Sequence, residues 1–259
     1  MKIYVFTREK GKIYDLVTKQ IINSPLELSL VDDVLNCDIV ITIGGDGTIL
    51  EVAKEAAELE KPLLGINTGR LGFMANLETS ELTSPHETDW LQRLKNSDYS
   101  ISVRMLLNVM VDNKNYTALN DVVLHREATS RLPEFAVFRG NHEVLKLRAD
   151  GMIVTSPTGS TAYSLSAGGP IIQPELECFM VTAVCPHTLF NRPMIFPTNT
   201  PLYVRTKNVS AIVDGYVVAE LTVESDITVL KSDACLKLID IDGNSFYNSI
   251  HNKLMRPLK

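Results

Sequence analysis

One carboxylate among glycines, at the end of an apolar run, is where this chain first offers chemistry: Ile39-Val40-Ile41-Thr42-Ile43-Gly44-Gly45-Asp46-Gly47-Thr48. Residues 39–43 are apolar or β-branched and stop too soon for a helix, the pattern of a strand buried on both faces. Ile49, Val52, Ala53 and Ala56 then recur at helical spacing, and Thr48 with Glu51 has the spacing of a capping box. Asp46 is therefore predicted on a strand-to-helix turn above the carboxyl end of a strand, where open α/β sheets take ligands. Gly44, Gly45 and Gly47 can adopt φ > 0 and let phosphate oxygens reach backbone N–H groups. The following helix N-terminus favours anions. A carboxylate beside phosphates needs Mg²⁺ or a substrate hydroxyl as its partner. The plain alternative is an Asp-Gly turn that caps a helix.

A second concentrated stretch follows Arg148-Ala149-Asp150-Gly151. A strand pattern, Met152 to Thr155, ends in Ser156-Pro157-Thr158-Gly159-Ser160-Thr161-Ala162-Tyr163-Ser164-Leu165-Ser166. Such hydroxyls suit the edges of a ribose and a base, and Tyr163 could stack on an aromatic ring. The same composition also suits a solvated connection. Asn67 ends an apolar run and leads into Thr68-Gly69-Arg70. Arg70 and Arg148 fit either bidentate phosphate contacts or surface ion pairs. Asn120-Asp121 lies between apolar runs and reads as a ligand contact or a turn, while Asp214-Gly215 reads as a hairpin turn. No histidine has metal-ligand spacing, and neither a Walker sequence nor a Gly-x-Ser-x-Gly elbow occurs.

The elements that must carry these residues change character along the chain. The first part alternates strand (Ile3–Phe6), helix (Ile13–Ile22), a short alternation at Leu26, Leu28 and Leu30, the Asp46 strand and helix, and a buried strand over 62–67. That is a parallel, doubly wound pattern. The first strand opens into Thr7-Arg8-Glu9-Lys10-Gly11 rather than Gly-x-Gly-x-x-Gly, so the usual dinucleotide turn is missing. Residues 80–97 look helical around Trp90, Leu91 and Leu94. From about Tyr99 short strand patterns dominate, among them 101–111, 116–124, 135–138, 144–147, 179–184, 202–205, 211–213, 221–223, 227–230 and 236–239. Residues 245–255 return to a helical pattern with Phe246, Ile250 and Leu254 on one side. The expectation is an α/β domain over 1–98, rejoined by 244–259, and a β-rich domain over 99–243.

Bulk properties narrow the partners. A chain of 259 residues with 45% hydrophobic and 22% charged residues can bury a sizeable core. A net charge of -6 argues against a general nucleic-acid or anionic-membrane binder. No run approaches a membrane span or a signal-peptide core, and the four cysteines show no Cys-x-x-Cys pair. A reducing, cytoplasmic location is expected.

Taken together, the GGDGT turn, Asn67 to Phe73, Asn120-Asp121 and the Ala149-Asp150-Gly151 and Thr155-to-Ser164 runs resemble the NAD kinases. GGDGT alone also resembles diacylglycerol kinases and 6-phosphofructokinases; the TSPTGSTAYS stretch is the specific part. The resemblance implies α/β plus β: an N-terminal Rossmann-like domain, a C-terminal β-sandwich domain, and a C-terminal helix packing back on the first. It implies transfer of the γ-phosphoryl group of ATP, or of polyphosphate, to the 2′-hydroxyl of the adenosine ribose of NAD, giving NADP. Asp46 then matches the catalytic carboxylate, and Gly44, Gly45, Asn67 and Arg70 the phosphate contacts. NAD contacts match Asp46, Gly47, Asn120, Asp121, Arg148, Asp150, Thr158, Thr161, Ala162, Tyr163, Ser164, Leu165, Ser166 and Ala183, some from a neighbouring subunit. Mg²⁺ as cofactor and a homodimer or homotetramer are implied in the same way. Two rivals stand beside this: a kinase acting on a lipid or sugar phosphate, and a non-catalytic NAD(H)-binding sensor.

Overall fold

In a computed structural model, which describes residues 1–69, 72–83, 89–127, 131–189, 191–241 and 245–252, the apolar run ending at Asp46 lies inside a parallel sheet. Two compact units form, Met1–Val103 with Cys235–Lys259, and Arg104–Ala234.

The first unit begins β1 (Lys2–Thr7), α1 (Lys12–Asn23), β2 (Ser29–Val31), β3 (Ile39–Gly44), α2 (Asp46–Glu58), β4 (Leu63–Asn67), β5 (Leu77–Glu78), a 3₁₀ turn (Glu81–Thr83) and α3 (Asp89–Lys95). The order β4-β3-β1-β2 is parallel throughout, with Ile3 opposite Ile39 on one side and Leu30 on the other. The chain leaves β1 towards β2 and β3 towards β4, so right-handed crossovers put α1 and α2 on opposite faces. β3 and β4 are buried along nearly their whole length, as sheet strands covered on both faces should be. Ile3, Ile41, Leu64 and Ile66 pack with Val17 and Ile21 of α1 and with Trp90, Leu91 and Leu94 of α3. The expected helix over 80–97 is thus a 3₁₀ turn and the shorter α3, with 84–88 outside the described residues.

The second unit is a sandwich. Its strands are β6 (Ser100–Val111, entering from the first unit), β7 (Lys114–Ala118), β8 (Asp121–His125), β9 (Glu134–Arg139), β10 (His142–Arg148), β11 (Gly151–Thr155), β12 (Cys178–Val184), β13 (Met194–Pro197), β14 (Leu202–Thr206), β15 (Val209–Val213), β16 (Tyr216–Leu221) and β17 (Ser225–Asp240). A 3₁₀ turn (Thr158–Thr161) and the one-turn helix α4 (Tyr163–Ser166) interrupt them after β11. One sheet runs β13-β12-β11-β8-β15-β16, and the facing one contains β10-β9-β14-β17. Alternate residues point inward: Phe135 and Val137, Leu202 and Val204, Phe179 and Val181, Met152 and Val154 share one core. The two expected strands 227–230 and 236–239 are a single 16-residue strand, β17, which runs straight through the turn-forming residues Ser232 and Asp233. It runs on into the first unit, where Leu238 pairs with Leu63. There α5 (Ser245–Ile250) sets the Phe246 ring 6.4 Å from that of Phe73, so the expected C-terminal helix packs on the first unit. The expected strand 116–124 is broken in two at Leu119-Asn120, and that break belongs to the site described below.

Candidate functional site

Asp46 is the first residue of α2, one step beyond Gly45 in the N-cap position. This corrects the expected capping box: Thr48 already lies within the first turn, donating its N–H to Gly45 O at 2.9 Å, and Glu51 pairs with Arg8. The glycines allow this tight entry, although only Gly44 has a positive φ. A Cβ at Gly44 would sit 2.1 Å from Oγ1 of Thr48, whereas one at Gly45 would meet nothing within 4 Å, which leaves an open face over the turn. The Asp46 carboxylate is fixed from outside its helix. Oδ2 accepts the N–H of Phe73 at 2.8 Å and Oδ1 that of Met74 at 3.1 Å. Each oxygen keeps a further lone-pair direction for a ligand.

The strand order reverses between β1 and β3, and a cavity of about 320 Å³ opens at their carboxyl ends. Thr7, Arg8, Lys12, Gly44, Thr48 and Thr68 are among its walls, beside the first turns of α1 and α2. This is the topological switch point of the sheet, the place where such folds bind. Arg8 was not singled out from the sequence. It spans the turn, donating from Nη2 to Gly47 O at 3.0 Å and from Nε to Glu51 at 2.5 Å. Its signal was its position, directly after the first strand. Asn67 is buried at the end of β4, with its side chain bonded to the Gly69 backbone at 3.3 and 3.4 Å. Arg70 lies outside the described residues.

The second unit gathers a separate cluster. Asn120 and Asp121 sit at the break before β8, whose backbone is held at every polar group. The Asn120 carbonyl accepts Thr155 Oγ1 and the Ser156 N–H, both at 2.8 Å, and the Leu119 carbonyl accepts Ser156 Oγ at 2.5 Å. Gly159 passes so close that a Cβ there would lie 2.3 Å from Asn120 O. Asp214 closes the other side, accepting the N–H groups of Leu119, Asn120 and Asp121. The sequence marks Asp214-Gly215 as a hairpin turn. Asp214 is that, with φ of 45° beside Gly215, and also a clamp. Burial first, and then the charge of Asp214, push the Asp121 carboxyl up to about 7. Burial likewise raises Asp214, against the three N–H groups that pull it down.

The loop after β11 then turns. Thr158 is 4% exposed and its hydroxyl is buried without a partner. A buried orphan hydroxyl is rare unless a ligand or water completes it. Thr161 donates to Thr158 O at 3.1 Å, and Ala162 and Leu165 are half-buried. Tyr163 and Ser166 are exposed, the tyrosine at 41%. Ser164 differs: it is fully buried and shares a 3.0 Å hydrogen bond with Thr182, so its side chain holds the loop to β12.

Arg148, Asp150 and Ala183 are not brought to this cluster. In the β8-β11-β12 ladder, Thr155 lies opposite Asp121, while Gly151, at the other end of β11, lies opposite Val184. Ala183 pairs with Met152, and Asp150 precedes Gly151, about 13 Å of strand away from Thr155. Asp150 is ion-paired there with Arg126, Nε to Oδ1 at 2.6 Å, another residue the sequence reading did not name. Arg148 is exposed, with its carbonyl accepting the His187 N–H.

Comparison with known proteins gives a family. The model of the ATP-NAD kinase N-terminal domain matches residues 26–93, and that of the C-terminal domain matches residues 119–241. The NAD kinase of Clostridium perfringens (strain 13 / Type A) is 34% identical over 96% of this chain and 95% of its own length. That of Natranaerobius thermophilus is 40% identical over 84% of this chain and 77% of its own. Among solved structures, yeast NADH kinase complexed with NADH superimposes with a TM-score of 0.82, at 24% identity over 100% of this chain and 90% of that one. An NAD kinase from Archaeoglobus fulgidus in complex with ATP gives 0.81, at 23% identity over 96% of both chains. The two structures speak for the fold; the family models and the sequence relatives carry the assignment, and by them this chain belongs to the NAD kinase family.

Proposed function

We infer that the protein is an NAD kinase, a phosphotransferase with an alcohol acceptor, using NAD and ATP as substrates and giving NADP and ADP. Family membership over most of the chain is the observation that carries this. Within it, Asp46 orients the 2′-hydroxyl of the adenosine ribose. Phosphoryl transfer passes through a loose transition state, so positioning and charge neutralisation dominate. A bond forms between the 2′-oxygen and the γ-phosphorus as the bond to the ADP oxygen breaks, and the hydroxyl proton passes late to Asp46. The two backbone N–H groups on Asp46 support this role by fixing the carboxylate. Gly44, Gly45 and the switch-point cavity with Arg8 and Lys12 suit the phosphates of the donor, ATP or polyphosphate.

Asn120, Asp121, Thr158, Thr161 and Tyr163 hold NAD in this reading, and the orphan Thr158 hydroxyl supports it. The remoteness of Arg148, Asp150 and Ala183 along β11 favours contacts contributed by a second copy, hence a homodimer or homotetramer. Among the described residues no group of three His, Cys, Asp or Glu could hold a metal ion. Mg²⁺ suits such a site when phosphates supply most of its ligands, and Asp46 is the carboxylate with free lone pairs to add. When bound it neutralises phosphate charge. Among the described residues no helix is long and apolar enough to cross a membrane; a cytoplasmic location belongs to the proposal.

Incubation with NAD, ATP and Mg²⁺, read by an NADP-specific dehydrogenase, tests the activity; no NADP formed would overturn it. Asp46→Asn should lower kcat by roughly 100- to 10,000-fold with NAD binding retained. Turnover near that of the unchanged enzyme would remove Asp46 from the mechanism.

A further inference from the structure

We propose that Asp214 is a positioning residue for coenzyme binding, a clamp that sets the direction in which Asn120 and Asp121 project. The proposal rests on the reading that these two residues contact NAD. Asp214 Oδ2 accepts the Leu119 N–H at 2.7 Å, and Oδ1 accepts those of Asn120 at 2.8 Å and Asp121 at 3.1 Å. Its own N–H returns a bond to Asp121 O at 3.1 Å. A two-residue hairpin turn does not need any of this. Asn or Gly would serve the positive φ at least as well, and an inward-turned carboxylate carries a desolvation cost that the three N–H groups offset.

From the opposite side the same segment is held by Thr155 and Ser156, which bond the Asn120 and Leu119 carbonyls. With every backbone group of the break engaged, the side chains of Asn120 and Asp121 are left for something else. Among the described residues neither makes a hydrogen bond of its own. A rigid backbone presenting two unengaged polar side chains is what ligand positioning requires, since small displacements of a binding group cost large factors in affinity and rate.

Kinetics on Asp214→Asn and Ser156→Ala test this. Asparagine keeps the shape but turns an NH₂ group onto one of the N–H donors; alanine at 156 removes the bond to the Leu119 carbonyl and, with it, the bond that Ser156 Oγ accepts from the Gly159 N–H. The expected result for Asp214→Asn is a KM for NAD raised about 10-fold or more, with the KM for ATP unchanged and kcat at saturating NAD within about 3-fold. Ser156→Ala should move the KM for NAD in the same direction by about 2- to 3-fold, and it decides the matter if Asp214→Asn does not fold. A merely structural role would lower the active fraction, so that kcat falls and both KM values stay; that pattern in the folded variants overturns the proposal. Should the unchanged protein bind NAD but form no NADP, the kinase reading fails alone, and Kd for NAD by calorimetry replaces KM in the same comparison. A protein that binds no NAD overturns both.

Discussion

A methyl group on residue 72 would lie 2.0 Å from Oδ1 of Asp46, so the carboxylate and the backbone of Gly72 occupy space that only glycine leaves open. The same loop supplies the two N–H groups that fix Asp46. Gly72→Ala must therefore push either the carboxylate or the Phe73–Met74 amides out of place. We expect kcat to fall about 100-fold, in line with an ångström-scale misplacement of a reacting group. A folded Gly72→Ala protein with unchanged kcat would show that Asp46 tolerates displacement.

The pH dependence of stability should carry the mark of Asp121. Its carboxyl is pushed up to about 7 by burial and then by Asp214, whereas in an unfolded chain it would titrate near about 4. Between these values the native state holds a proton that the unfolded state has lost, so stability falls as pH rises through the window and levels off above it. The contribution is at most roughly 4 kcal/mol. Thermal unfolding of the unchanged protein and of Asp121→Asn from pH 4.5 to 8.5 reads it as a difference: the variant should gain relative stability as pH rises. Parallel curves would contradict the account.

Neighbours on one loop should separate cleanly. Ser164→Ala leaves the buried Thr182 hydroxyl without its partner and should cost about 1–3 kcal/mol, seen as a lower Tm. Tyr163→Ala removes an exposed ring and should leave Tm unchanged while raising the KM for NAD about 3- to 10-fold, the worth of a stacking contact. The reverse assignment, with Tm falling for Tyr163→Ala alone, would reject the stacking role.

Subunit complementation tests the split along β11. If Asn120 of one copy and Asp150 of another serve the same coenzyme, Asn120→Ala and Asp150→Ala should each be nearly inactive alone. Co-expressed, they should recover about a quarter of the activity, because half the dimers are mixed and each mixed dimer keeps one intact site. No recovery in demonstrably mixed oligomers would place both residues at one subunit's site.

Local features were legible because local physics decides them. β3 and α2 announce themselves as a β-branched apolar run followed by a helical stripe, and Asp46 falls at their junction whatever the rest of the chain does. Alternation marked most strands of the second unit, since one face of each is core. What failed locally failed for tertiary reasons. The Thr48–Glu51 pair had capping-box spacing, but Glu51 found Arg8 across the fold. The run 116–124 looked continuous because nothing in its composition reveals that Asp214, far along the chain, would seize its middle.

Residue types and their order are plain along the chain: a carboxylate on a glycine turn, a hydroxyl-rich loop, two classes of domain. Tertiary structure alone decided which backbone amides hold Asp46 and Asn120-Asp121, that Ser164 faces inward while Tyr163 faces out, and that Asp150 lies a strand's length from Asp121. The physical reason is that periodicity reports only which side of an element is apolar. Hydrogen bonds between residues 27 to 95 positions apart depend on where folding brings those elements, and no local pattern encodes that.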